Sequence, residues 1–126
     1  MPTVFLSYAR SDGSSIADRL RTELERANFI VWQDVGNMRG GQEWKEQLRI
    51  ALREVDVLLV LLTPEAVKSS YVTWEWENAL TLQKRVIPLL VLPCNSPADL
   101  ARLHYHDLSQ SDTYALELMA LVLHRT

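Results

Sequence analysis

At 126 residues and 14.5 kDa the chain has the size of one domain. Its 48% apolar and 23% charged residues are globular values, which excludes a disordered or low-complexity chain. A net charge of −3 with no basic run argues against nucleic acid or an anionic membrane as partner. Cys94, the single cysteine, excludes an internal disulfide and a multi-cysteine zinc site. No apolar stretch is long enough to cross a bilayer, and the first residues lack the pattern of a secretory leader, so a cytoplasmic setting is expected.

The first predicted element is a strand over residues 3–7, apolar without alternation and so covered on both faces. Ile16, Leu20, Leu24 and Ala27 then recur at helical spacing, and Ser15 with Asp18 predicts a capped start. A short strand follows over 29–32, then a helix with Trp44, Leu48, Ala51 and Leu52 on its inner face. Residues 57–62 form another two-sided strand. Val72, Trp76, Ala79 and Leu80 mark the next helix. Residues 86–92 form a strand whose Pro88 predicts a place near the edge, or a bulge, since proline lacks a ladder donor. A weak strand around 104–108 and a last helix through Tyr114, Leu118, Leu121 and Val122 close the chain. This alternation predicts right-handed crossovers in a parallel, doubly wound sheet. Residues 1–126 read as one domain, which we expect to be cut from a longer protein.

In such a sheet ligands bind outside the carboxyl ends of the strands. The four glycines, Gly13, Gly36, Gly40 and Gly41, satisfy neither the dinucleotide fingerprint nor the P-loop pattern. A phospho-acceptor domain would need acidic residues where Ser7-Tyr8 and Thr63-Pro64 stand. His104, His106 and Asp107 offer two histidines at strand spacing but no third ligand, so no metal is expected. A serine triad lacks its nucleophile elbow, and Cys94 sits in a Pro/Asn/Ser loop without a catalytic partner in view.

Three segments at the predicted carboxyl ends carry information. One is Phe5-Leu6-Ser7-Tyr8-Ala9-Arg10. Another runs from Trp32 and Asp34 through Met38, Arg39, Gly40 and Gly41 to Trp44. The third, Tyr71-Val72-Thr73-Trp74-Glu75-Trp76-Glu77, packs aromatics and carboxylates into the opening of a helix. In this order, between these strands, they resemble the TIR (Toll/interleukin-1 receptor) domain family over nearly the whole chain. The glycine loop is similar to that of the bacterial branch.

The resemblance implies a flavodoxin-like parallel sheet of about five strands in the order 2-1-3-4-5, with helices on both faces. It implies an NAD⁺ glycohydrolase or ADP-ribose cyclase in which Glu75, four residues after Tyr71, is catalytic. Tyr71 stands where the family usually has tryptophan. Tyr8, Ala9, Arg10, Asp34, Trp44 and Tyr71 are the implied substrate contacts, and NAD⁺ is a substrate, with no cofactor called for. The resemblance also implies head-to-tail association with other TIR protomers through Met38, Arg39, Gly40 and Gly41, with Trp74 as an exposed contact. A sensor domain in the full-length protein and a role in bacterial antiphage or toxin-like signalling complete what it implies.

Plainer readings stand beside these. Glu75 can be a solvated helix charge, Arg10 a partner for Asp12, Asp34 a loop cap, and the glycine pair a backbone device. Glu75 lies beside the apolar stripe, so its charge is expected to matter little for stability. Glu77, about 200° further round the helix, points away from it. Two classes remain open: an NAD⁺-consuming enzyme, and a module that signals or acts in virulence through TIR–TIR contacts alone.

Overall fold

The computed structural model describes residues 3–33, 42–101 and 106–107. In chain order the elements are β1 (Thr3–Ser7), α1 (Arg10–Arg26), β2 (Ile30–Gln33), α2 (Gln42–Glu54), β3 (Val57–Leu62), α3 (Pro64–Lys68), α4 (Ser70–Thr81), β4 (Arg85–Leu90), α5 (Ala98–Ala101) and β5 (His106–Asp107). The strands form one parallel sheet in the order β2-β1-β3-β4-β5, as the sequence resemblance implies. Among the described residues no helix is long and apolar enough to cross a membrane. The closing helix expected through residues 114–122 lies outside the described residues.

Strand alternation sorts the core into two layers. Val4, Leu6, Val57, Leu59, Leu61, Ile87 and Leu89 pack with Ala17, Leu20 and Leu24 of α1. Phe5, Leu58, Val60, Leu62 and Val86 face the other way, onto Leu48 and Leu52 of α2, Ala66 of α3, and Val72, Trp76 and Ala79 of α4. Every residue of β3 is buried, which is why 57–62 reads as an unbroken apolar run. At the β1–β2 pairing, Phe5 and Trp32 stack with ring centroids 5.7 Å apart.

Two expectations need correction. α1 starts at Arg10, with Ala9 as an N-cap that supplies no side-chain bond, rather than at Ser15. Asp18, expected near a helix start, instead accepts from Gln33 at the end of β2. Pro88 lies in β4, opposite Val60 and next to the edge strand β5, the near-edge place expected for it. The proline is tolerated because β5 pairs only with Leu89 and Leu90, so on that side the described ladder begins just past it. α3 was not foreseen, although Thr63-Pro64-Glu65 is a helix-start pattern: Thr63 caps it, accepting from Ala66 N at 3.1 Å, and Pro64 fills the first turn.

Two helices that feed strands end alike. The N–H of Phe29 donates to Leu24 O and that of Asn28 to Glu25 O; Lys84 and Gln83 repeat this onto Ala79 and Leu80. Each is a double-bonded helix stop whose penultimate residue takes a left-handed backbone, Asn28 at φ 69° and Gln83 at φ 60°. Asn tolerates this conformation; Gln bears the Cβ penalty. Gln83→Gly should therefore raise stability by about 0.5–1 kcal/mol, after allowing for glycine's greater freedom when unfolded. Urea denaturation checks this, and a loss of stability would contradict the reading of that stop.

Candidate functional site

β1 carries Ser7 to the carboxyl end of the sheet. Phe5 and Ser7 share a parity, so Ser7 faces the layer that contains α4. There its hydroxyl donates to Glu75 Oε1 at 2.7 Å, between residues 68 positions apart. Both groups are buried; Glu75 is only 3% exposed. An O–H donor to a carboxylate at this distance is a charge-assisted hydrogen bond. Glu75 is therefore not a solvated helix charge. Around α4 it flanks the buried arc of Val72, Ala79 and Trp76, whereas Glu77 is exposed. α4 itself is set by Ser69, whose hydroxyl accepts from Val72 N at 3.2 Å.

Tyr8, next in the chain, takes the opposite parity and packs on the α1 side. Its hydroxyl accepts from Gln33 Nε2 at 2.9 Å, and the same amide nitrogen donates to Asp18 at 2.8 Å. Arg21 donates to the amide oxygen of Gln33 at 3.3 Å. Gly13 allows the close approach of this ring to α1, since a Cβ there would lie 3.3 Å from Tyr8 Cβ. Gln33, which the sequence did not single out, thus ties the Tyr8 hydroxyl to α1.

Asp12 does not pair with Arg10. Its carboxylate accepts from Thr63 Oγ1 at 2.7 Å and from Glu65 N at 3.1 Å. It therefore pins the first turn of α1 to the start of α3, at the ends of β1 and β3. The Thr-Pro-Glu signal marks one half of this link; nothing in the sequence marks Asp12 as the other.

The remaining expected residues fall as follows. Ala9 packs on the α2–α4 side, and Arg10 stands exposed at the first turn of α1. Tyr71, 49% exposed, lies one turn before Glu75 on the same side of α4. Trp44 belongs to the first turn of α2, where the backbone alone is described. Asp34, Met38, Arg39, Gly40, Gly41 and His104 lie outside the described residues. Trp74, expected to be exposed, is half-buried against the α2–α4 core, with the Arg49 guanidinium 5.7 Å from its ring centre. Burial, and secondarily the Asp12 carboxylate, push the Cys94 thiol above its ordinary range. That disfavours the thiolate at neutral pH and weakens any case for a cysteine nucleophile.

Among the described residues Glu75 is the one buried carboxylate, bonded to a hydroxyl at the carboxyl end of a parallel sheet with an exposed aromatic one turn away. The sequence profile of the TIR domain family matches residues 4–122. The chain belongs to the TIR domain family. Half of this TIR domain, 63 residues, is 35% identical to the NAD(+) hydrolase sarm1 of Drosophila melanogaster; that stretch is 5% of the fly protein's length. The TIR domain of the Toll-related receptor TRR-2 from Hydra magnipapillata matches with a TM-score of 0.79 at 22% identity, over 95% of this chain and 94% of that one. The CMP N-glycosidase BcmB of Clostridium botulinum gives 0.72 at 20%, over 94% and 98%. The TIR domains of the activated Roq1 resistosome give 0.73 at 16%, over 98% and 99%. These structural likenesses describe the fold.

The buried pair revises the expectation that the charge of Glu75 is irrelevant to stability. Glu75→Gln keeps an oxygen that can accept from Ser7 but loses the charge-assisted bond, and should cost about 1–2 kcal/mol. Glu77→Gln, on the exposed face, should stay within about 0.5 kcal/mol of the parent. Urea denaturation of the two variants side by side measures the difference, and equal midpoints would contradict the burial argument.

Proposed function

We propose that this TIR domain is an NAD⁺ nucleosidase in which Glu75 stabilises the cationic ribose formed as nicotinamide departs. The observation that carries the reading is the Glu75 carboxylate, buried yet fixed at the carboxyl end of the sheet. Nicotinamide leaves a pyridinium as a neutral molecule, so no proton need be supplied to it, and the general acid of an ordinary glycosidase is dispensable. What remains is to stabilise an oxocarbenium-like ribose, and a poorly solvated carboxylate does this more strongly than one in water. Water then adds at the anomeric carbon and loses a proton, giving ADP-ribose, nicotinamide and H⁺. Attack by a ribose hydroxyl or by adenine gives a cyclic ADP-ribose instead. NAD⁺ is the substrate in this scheme and no cofactor is called for.

Two comparisons support the chemistry: the curated relative is named an NAD(+) hydrolase, and a neighbour of the same fold is named an N-glycosidase. Tyr71 offers an exposed ring beside Glu75 for the substrate, and Tyr8, Ala9, Arg10, Asp34 and Trp44 are the further contacts of this reading. Residues 38–41 are assigned to a head-to-tail contact with a second TIR protomer. The presence of TIR domains in an activated resistosome supports an assembly-dependent activity. The reading is completed by a sensor domain elsewhere in the protein and a cytoplasmic role as effector of a bacterial antiphage or toxin-like system.

The test is chromatography of nicotinamide and ADP-ribose species after incubation with NAD⁺, across nanomolar to high micromolar protein. Specific activity should rise with protein concentration. Glu75→Gln should lower turnover by about 10²- to 10³-fold. Glu77→Gln should stay within about threefold of the parent. Folded Glu75→Gln protein that turns over NAD⁺ like the parent would remove the mechanism. No nicotinamide at any concentration would favour a module acting through TIR–TIR contacts alone.

A further inference from the structure

We infer that Ser7 is a positioning residue for Glu75: its hydroxyl fixes the carboxylate in the orientation that stabilises the ribose cation. The inference rests on the NAD⁺ reading and deepens it. Ser7 is fully buried at the last position of β1, paired in register with Val60. Its backbone is therefore set by the sheet, and its parity aims the side chain at α4. Glu75 reaches across from a helix on a side chain with three rotatable bonds, which loses considerable freedom when held in one geometry. The 2.7 Å bond from Ser7 supplies a rigid point to hold it.

Breaking the pair from one side costs stability, but stability alone would be served as well by an apolar pair in its place. A hydroxyl and a carboxylate withdrawn from water each carry a desolvation cost. Well-packed apolar side chains in place of a buried polar pair are often neutral or stabilising. Around them the layer does use apolar residues: Phe5, Val60 and Leu62 from the strands, Val72, Trp76 and Ala79 from α4. Polar groups are thus placed where the fold does not require them, at the end of the sheet where ligands bind. Ser7 donates to the carboxylate and is assigned no contact with substrate, so its removal should leave binding and impair the chemical step.

Steady-state NAD⁺ turnover at a protein concentration where the parent is active tests this. Ser7→Ala should lower kcat about 10- to 100-fold, the scale of a small misplacement of a catalytic group. KM should stay within about threefold, as for an interaction made through the transition state. Ser7→Thr and Ser7→Val are near-isosteric and differ in the hydroxyl, so Thr should recover most of kcat and Val should resemble Ala. Circular dichroism and melting curves accompany each variant; should Ser7→Ala fail to fold, the Thr/Val comparison decides. A merely structural role would treat Thr and Val alike. An active parent with Thr and Val equally impaired, or with Ala unimpaired, overturns the role of Ser7 and leaves the NAD⁺ reading standing. An inactive parent overturns the NAD⁺ reading and this role with it.

Discussion

A carboxylate withdrawn from water needs a donor, and at the carboxyl end of this sheet Glu75 finds one in the hydroxyl of Ser7, 2.7 Å away. That bond depends on strand register. A slip of one residue in β1 would turn Ser7 toward α1 and present Leu6 to α4. The register is held because both faces of β1 and β3 are buried, so any slip would also displace Val4, Phe5 and Leu6 from their layers. The two-sided core that defines the fold is thereby also what aims the candidate catalytic group.

The same parity divides the sequence box at the end of β1. Ser7 and Ala9 belong to the α4 side, whereas Tyr8 belongs to the α1 side with Gln33 and Asp18. Asp12 ties the first turn of α1 to α3 through Thr63 and Glu65, holding the ends of β1 and β3 in one frame. At the opposite end of the sheet, bonded helix stops at Asn28 and Gln83 return the chain to β2 and β4. The polar groups that position side chains at the carboxyl ends are thus separated from the backbone devices that turn the chain.

The strands were legible where both faces are buried: residues 57–62 match β3 to the residue, and 3–7 match β1. Helical spacing likewise placed Val72, Trp76 and Ala79 in the core. Local capping signals were less informative, because Ser15 and Asp18 look like a helix start while Asp18 is bound to Gln33. Glu75 was legible as a candidate through the resemblance of its segment to the TIR family, but its burial was not. A glutamate at the margin of an apolar stripe ordinarily reaches solvent, and a partner that meets it inside is a serine 68 residues earlier. Gln33 and Asp12 were missed for the same reason: each takes its role from a partner on another element, and spacing along one element carries no trace of it.

The central claim, that Glu75 faces the reacting ribose, is tested most directly by a crystal structure of the Glu75→Gln protein, grown at an assembly-competent concentration with NAD⁺ bound. The account predicts the anomeric carbon of the nicotinamide ribose within about 4 Å of the residue-75 side chain, close to a near-attack distance. It also predicts that the Ser7 hydroxyl still contacts that side chain. NAD⁺ seated with its nicotinamide ribose remote from residue 75, at another edge of the sheet, would contradict it.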